Sequence, residues 1–311
     1  MLKISFFVKG ALTLILPRWA YSRQSGGSSS ARYCYSVFMR HLVRLHQTTG
    51  FVVPKTVAEL GPGDSLGIGL CSLLAGAEKY IGLDVVPFTD LSDNLDVLDE
   101  LVDLFQSRSP IPDDKEFPRV LPKLDVYAFP SNILDDDTLA ETLRPERVDV
   151  MREQLRGGDD GDFINYVAPW SACERIKTGS VDWIFSQAVL EHVDNLNETY
   201  KAFTAWLSPE AIMSHQIDFK CHNMARTWNG HWATPNWLWR IARGARPYFL
   251  NREPLPTHID FLVQNGFMIE SIDRAIRHDG LERRQLLAEY HNLSDEDVVT
   301  AGAFLIVRKK Q

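Results

Sequence analysis

Cysteine is scarce in this chain of 311 residues: only Cys34, Cys71, Cys173 and Cys221 are present, none in a Cys-x-x-Cys spacing. A chain this long buries a full core without covalent staples, so the four read as reduced thiols of a cytoplasmic protein. A basic excess is missing too. Lys and Arg number 33 against 41 Asp and Glu, a net charge of −8, which argues against a nucleic-acid partner, because holding a phosphate backbone needs a basic surface. No apolar run reaches the ~20 residues that span a bilayer. There is no internal repeat, and no polar low-complexity tract longer than Ser22 to Ser30.

What is present centres on Thr56 to Leu70, followed by Tyr80 to Asp84. Val57, Ala58 and Leu60 read as a buried parallel strand that runs into Gly61-Pro62-Gly63, a turn whose bare backbone lets a ligand approach closely. Gly67 and Gly69 fall in the first turns of the next helix, where small residues allow close packing on a sheet. The second strand ends in Asp84, about 20 residues beyond the glycines, the spacing at which nucleoside-binding α/β folds hold ribose hydroxyls. Glu59 narrows the nucleoside. A carboxylate gains nothing beside a pyrophosphate, whereas a ligand with a cationic amino-acid end is drawn to it.

An acid two positions before Gly-x-Gly, with a second acid closing the next strand, resembles the class I S-adenosylmethionine-dependent methyltransferases. The resemblance implies that Glu59, Gly61, Pro62 and Gly63 hold the methionine part of S-adenosylmethionine and that Asp84, with Val85 beside it, binds the ribose. Ser65 stands where many members have a further glycine. Ser180 to Val193 adds a second point of likeness: Asp182-x-Ile184-x-Ser186-x-x-Val189-Leu190-Glu191-His192-Val193 is similar to the fourth motif of many small-molecule methyltransferases. It implies that Ser186 and Gln187 line the methionine side of the cofactor. Phe163 to Val167 is the strand before it. There the family's adenine loop would be made of Tyr166, Val167 and Ala168, with no acidic side chain. Two terminal strands, Phe267 to Ile272 and Ala303 to Val307, fit the hairpin at the edge of the family's sheet. The stretch from His215 to Phe219, with Asn251 to Glu253, Phe261 and Gly266-Phe267, also looks like methyltransferases of surface-polysaccharide gene clusters.

The fold class expected is α/β, a Rossmann-like, doubly wound, seven-stranded methyltransferase sheet. Residues 1–50 form a helical extension, and 51–311 the methyltransferase domain with insertions at about 90–160 and 220–256. In the first insertion, Asn94 to Phe105 and Asp135 to Leu155 read as helices around a proline-punctuated stretch, since structureless loops that long are rare. Its acidic runs, including Asp159-Asp160, read as solvated surface. In the second, tryptophans interleave with Arg226, Arg240, Arg243, Arg246 and Arg252, which suits a flat, sugar-like or phosphorylated substrate as well as a satellite core. Residues 1–20 are too short an apolar stretch to cross a bilayer. They read as a helix packed on the domain, with weak membrane-surface association as the other reading.

The activity implied is methyl transfer to a small molecule or glycan precursor at a hydroxyl, with His215 as first candidate base and His231 and His222 behind it. Val189 to Val193 reads as a helix start, so His192 is either a proton acceptor or a structural partner of Glu191. Ser208 to Glu210 reads as a turn. The spacing His215-x-x-Asp218-x-x-x-His222 could hold a divalent metal, but it is not that of a zinc protease, so no metal is expected. A non-catalytic subunit of the same fold and a nicotinamide-dependent oxidoreductase are the alternatives.

Overall fold

The structure, a computed structural model, describes residues 2–16, 28, 30–157, 163–170 and 176–310. Pro17, most of Ser22 to Ser30, Asp159-Asp160 and Cys173 lie outside them. The chain opens with helices α1 (Ile4–Ile15) and α2 (Ala31–Thr49). A strand, a helix and a strand follow: β1 (Thr56–Leu60), α3 (Gly67–Leu74) and β2 (Lys79–Leu83). Helices α4 (Leu95–Gln106), α5 (Asp136–Thr142) and α6 (Pro145–Leu155) precede the short strand β3 (Ile164–Val167). Then come β4 (Val181–Gln187), α7 (Leu196–Trp206), β5 (Leu207–Asp218), α8 (Asn236–Arg243) and α9 (Leu255–Gln264). The chain ends with β6 (Phe267–Ile276), α10 (Asp295–Val299) and β7 (Thr300–Lys309).

The seven strands form one sheet in the order β3-β2-β1-β4-β5-β7-β6. The first five are parallel, and β7 runs antiparallel between β5 and β6. Side chains alternate along each strand, so the apolar runs feed two layers. One holds Val57, Trp183, Phe185, Ile212 and Phe304 under α2, α3 and α4. The other holds Ala58, Leu60, Ile184, Met213, Ile217 and Leu305 with Tyr200, Phe203 and Leu262 of α7 and α9. Because its inward stripe belongs to the first layer, α2 is part of the core rather than an appendage.

The first insertion is fastened to α2 through a buried cation. Arg40 is fully buried; its guanidinium donates to Asp114 Oδ1 at 2.8 Å and to the carbonyls of Pro112 and Val120 at 3.0 and 3.1 Å. Its Nε donates to Ser36 Oγ, and the group lies over the Tyr127 ring. Five donors in a planar fork suit such a set of carbonyls better than any other side chain.

Two local expectations change, and the packing expected of the first helix is found. Ser208 to Glu210 is not a turn but the start of β5: Leu207 pairs with Val181 and Ile212 with Trp183, so the extra residues form a bulge at Pro209, where a missing N–H does no harm. Val189 to Val193 does not open a helix. A single 3-10 turn covers Leu190–His192, and α7 starts after Asn195, whose side chain accepts from the Glu198 amide. Helix α1 packs on α8, where Gly10 lies so close that a Cβ would sit 2.0 Å from the Ile241 carbonyl oxygen. Its outer face stays apolar and open, with Ile4 79%, Ile15 76% and Val8 53% exposed. Among the described residues no helix is long and apolar enough to cross a membrane.

Replacing Arg40 by Met is expected to cost about 2 kcal/mol, because the buried Val120 and Pro122 carbonyls lose their donor, while Lys123 still holds Asp114 and Ser36 the Pro112 carbonyl. Urea denaturation of the two proteins measures the difference.

Candidate functional site

In an open α/β sheet the ligand crevice lies beyond the carboxyl ends of the strands where the winding reverses. Here that point is between β1 and β4. The turn after β1 lies there, with Gly61 at φ 70° and Gly63 at φ 76°. Gly61 faces Val189, whose Cγ2 would be 2.6 Å from an added Cβ, so the turn after β1 touches the loop after β4. The Gly61 amide donates to the Leu83 carbonyl at 2.8 Å, tying the turn to the end of β2.

Asp84 stands at that end, buried. Its Oδ2 accepts from the Gly63 amide at 3.4 Å and its Oδ1 from the Val85 amide at 2.9 Å. Burial pushes its carboxyl up to about 7, with the Val85 and Gly63 amides and the Tyr166 hydroxyl pulling the other way. Tyr166 is half-buried beside it, its hydroxyl accepting from the Phe88 amide at 3.0 Å. The Trp170 amide donates to the Asp84 carbonyl at 2.7 Å, which brings the partly open Ala168 loop against the same corner. Val167 instead points into the layer under α7. Gly61, Pro62, Gly63, Asp84, Val85, Tyr166 and Ala168 therefore do converge.

Glu59 does not reach the crevice. It is 1% exposed, and its Oε2 accepts from the Tyr80 hydroxyl at 2.7 Å. Strand alternation turns it into the layer under α3, so it braces the glycine turn from below. Burial pushes its carboxyl up to about 8; the Tyr80 hydroxyl pulls it down and the nearby Asp84 adds to the rise. The remaining corner of the turn is taken by the chain itself: Ser28 Oγ donates to the Pro62 carbonyl at 2.7 Å and accepts from the Ser65 amide at 3.1 Å.

Two further expectations are corrected at the end of β4. Ser186 is fully buried, its hydroxyl at 2.8 Å from His215 Nδ1 on the α7 side of the sheet, away from the glycine turn. Gln187 is partly open, but its Oε1 accepts from His41 Nε2 at 3.0 Å. His41 is buried and its Nδ1 meets Ser214 Oγ at 2.8 Å. This histidine was not among the expected site residues. Tyr35, Phe38, Met39, Leu42 and Leu45 make α2 apolar along its inner side, and a histidine among them was the one available signal.

The histidines expected to act as bases separate. His215 is 1% exposed and stacks on Phe203 at 5.8 Å, and burial lowers its pKa to about 3, so it stays neutral inside the core. The alternation of β5 sends residue 215 into the layer beneath α7, not toward the crevice. His231 is buried against Trp232 and Trp239, and burial, with Arg252 adding, lowers its pKa to about 3. His222 differs: it follows β5, its side chain is 37% exposed, and its Nε2 lies 3.4 Å from Asp218 Oδ2. The residues after Val189 meet it there, for the His192 and His222 rings are 5.2 Å apart. Beside this corner, Trp239, Arg240, Arg243, Asn251 and Arg252 line a cavity of about 420 Å³. Trp228 and Trp232 pack in the core, while Trp239 joins the satellite cluster under α1.

The sheet decides the architecture. Dinucleotide-binding folds wind 3-2-1-4-5-6; this sheet instead places a reversed β7 between β5 and β6. Seven strands, mainly parallel and closed by a hairpin at one edge, are the sheet that the resemblance to the class I methyltransferases implied. Comparison with protein-family models and with curated protein sequences found no match. Among solved structures the chain is similar to an S-adenosylmethionine-dependent methyltransferase from Mesorhizobium loti, at 15% identity over 87% of this chain and 98% of that one, with a TM-score of 0.42. It is also similar to Haemonchus contortus phosphoethanolamine N-methyltransferase 2 in complex with S-adenosyl-L-methionine, at 10% identity and a TM-score of 0.45. There the match covers 90% of this chain and 57% of the other. A methyltransferase from Methanosarcina mazei matches at 11% identity over 86% and 97%, with a TM-score of 0.44.

The two buried carboxyls set a pH dependence. Glu59 and Asp84 hold protons to about 8 and about 7 in the folded chain, whereas unfolded carboxyls release them near pH 4. The folded state binds the extra protons, so stability is full below pH 4 and falls as pH rises toward 8. Glu59→Gln removes one of the two titrations. Its melting temperature is expected to fall less than the wild-type value between pH 5 and pH 8.5, in thermal denaturation at both.

Proposed function

We propose that this chain is an S-adenosylmethionine-dependent methyltransferase that acts on a hydroxyl of a small molecule or glycan precursor. The observation that carries the reading is the corner where the Gly63 amide holds the Asp84 carboxylate, at the winding reversal of a sheet with a reversed β7. A ribose there donates hydrogen bonds from its hydroxyls to Asp84, and Tyr166 and the Ala168 loop flank the adenine. The amino-acid end lies over Gly61-Pro62-Gly63, with Glu59 beneath the turn. The cofactor supplies a methyl group already activated on a sulfonium. The protein's part is alignment of the acceptor, an effect worth about 7–11 kcal/mol where the geometry is fully set.

The acceptor side is the corner formed after β4 and β5, since Val189 touches Gly61 and Glu191 and His192 follow it. A hydroxyl acceptor must release its proton to a group within reach. Of the three histidines named from the sequence, His222 is the one that stands open there. The neighbouring cavity, with Trp239, Arg240 and Arg252, offers apolar and cationic contacts to a sugar-like or phosphorylated substrate.

Calorimetric titration with S-adenosylmethionine, S-adenosylhomocysteine and NAD tests the reading. The first two are expected to bind, more tightly at pH 8 than at pH 6 as Asp84 ionises, and NAD is not. Asp84→Ala is expected to weaken binding by about tenfold or more, the loss of a charge-assisted hydrogen-bond pair. Binding of NAD alone would assign the crevice to an oxidoreductase, and binding of none would leave a non-catalytic subunit.

The open apolar face of α1 supports a second element of the reading, weak attachment to a membrane surface. Ile4, Val8 and Ile15 form one exposed stripe, with Lys3 and Lys9 on the same helix. Sedimentation with vesicles containing anionic lipid is expected to carry down part of the wild-type protein and less of an Ile4→Asp, Ile15→Asp variant.

A further inference from the structure

We propose that Glu191, His192 and His222 form a binding site for one divalent transition-metal ion of the zinc class, with a coordination position left open for an oxygen ligand. One donor atom from each of the three lies within 4.8 Å of the others, and they are the one such group among the described residues. They come from two loops, the turn after β4 and the segment after β5, which the parallel pairing of those strands brings together.

Glu191 is the second, independent observation. It is 3% exposed, and neither carboxylate oxygen has a hydrogen-bond partner. A buried carboxylate without a partner is costly. A cation between Glu191 and the two rings satisfies the carboxylate.

The imidazoles are set up for the same role. His192 Nδ1 lies 2.8 Å from the Tyr248 carbonyl oxygen; donating its proton there leaves the Nε2 lone pair free, the arrangement that outer hydrogen bonds impose on metal-bound histidines. Asp218 Oδ2 lies 3.4 Å from His222 Nε2. Two nitrogens and one carboxylate select against calcium and magnesium, which prefer all-oxygen shells, and match the three-ligand zinc sites that keep a fourth position open. At a metal–nitrogen distance of about 2.0–2.1 Å the donors of a tetrahedral shell are about 3.3 Å apart. The side chains must therefore close slightly around the ion. His222, partly exposed, has the room to move and marks the way in from solvent.

The use of the site rests on the reading of the chain as a hydroxyl methyltransferase. An acceptor hydroxyl in the open position loses its proton to water more readily, as metal-bound oxygens do. Its oxygen then forms the bond to the methyl carbon while the carbon–sulfur bond breaks, and the electron pair stays on sulfur as the neutral thioether. Binding of the ion itself does not depend on that reading.

The test uses the full chain, stripped with a chelator and dialysed against zinc chloride, then read by elemental analysis and titration. One zinc per chain is expected, and cobalt(II) in its place should give the intense visible bands of a low-coordinate site. His222→Ala, a change at a partly exposed side chain, should lose those bands and bind zinc at least about tenfold more weakly. His278→Ala, at an exposed histidine far along the chain, should bind as wild type does. Absence of stoichiometric zinc, or equal binding by His222→Ala, overturns the site. Titration of the same samples with S-adenosylmethionine reads the methyl-transfer assignment separately, so failure of one is distinguishable from failure of the other.

Discussion

A single buried hydrogen bond, from the Tyr80 hydroxyl to Glu59, underlies the whole corner at the glycine turn. Tyr80 reaches Glu59 by passing Gly69, where any Cβ would lie 1.9 Å from the ring. The bond therefore couples β1, β2 and the first turns of α3, and fixes how far the helix stands from the sheet. With that distance set, the Gly61 amide can meet the Leu83 carbonyl and the Gly63 amide can meet Asp84. The arrangement keeps two acids near one another in the interior. Each holds its proton far above the range of a solvated carboxyl.

Much of this was legible in the chain itself. Gly61, Gly63 and Asp84 announced a nucleoside corner by residue type and spacing, and the terminal apolar runs announced the edge hairpin. The direction of each side chain was less readable. Alternation along a strand is visible in the sequence, but which parity faces the ligand depends on the layer that covers each side. Glu59, Ser186 and His215 all fell on the covered side. The bulge at Pro209 was hidden for a related reason: Ser-Pro-Glu has the composition of a turn, and only pairing with Val181 and Trp183 makes it strand.

The acceptor side was the least legible. Its residues come from loops whose meeting is a property of the sheet. Glu191 and His192 sit in a stretch with helical pattern, yet the chain makes one tight turn there because the Asn251 side chain takes the Leu190 and Val193 carbonyls. Those hydrogen bonds reach across some sixty positions of sequence and leave no local trace. The pairing of His222 with His192 similarly follows from β4 lying next to β5. A reading confined to one segment at a time finds His215, Asp218 and His222 on one strand end and looks for their partner among themselves.

The Ser28 contact changes what an affinity for this crevice means. Its hydroxyl already satisfies the Ser65 amide and the Pro62 carbonyl, two backbone groups at the heart of the glycine turn. A ligand that reaches for either group competes with the protein's own chain, and its grip is measured as an exchange of one set of hydrogen bonds for another. Ser28 is thus an internal rival at the turn.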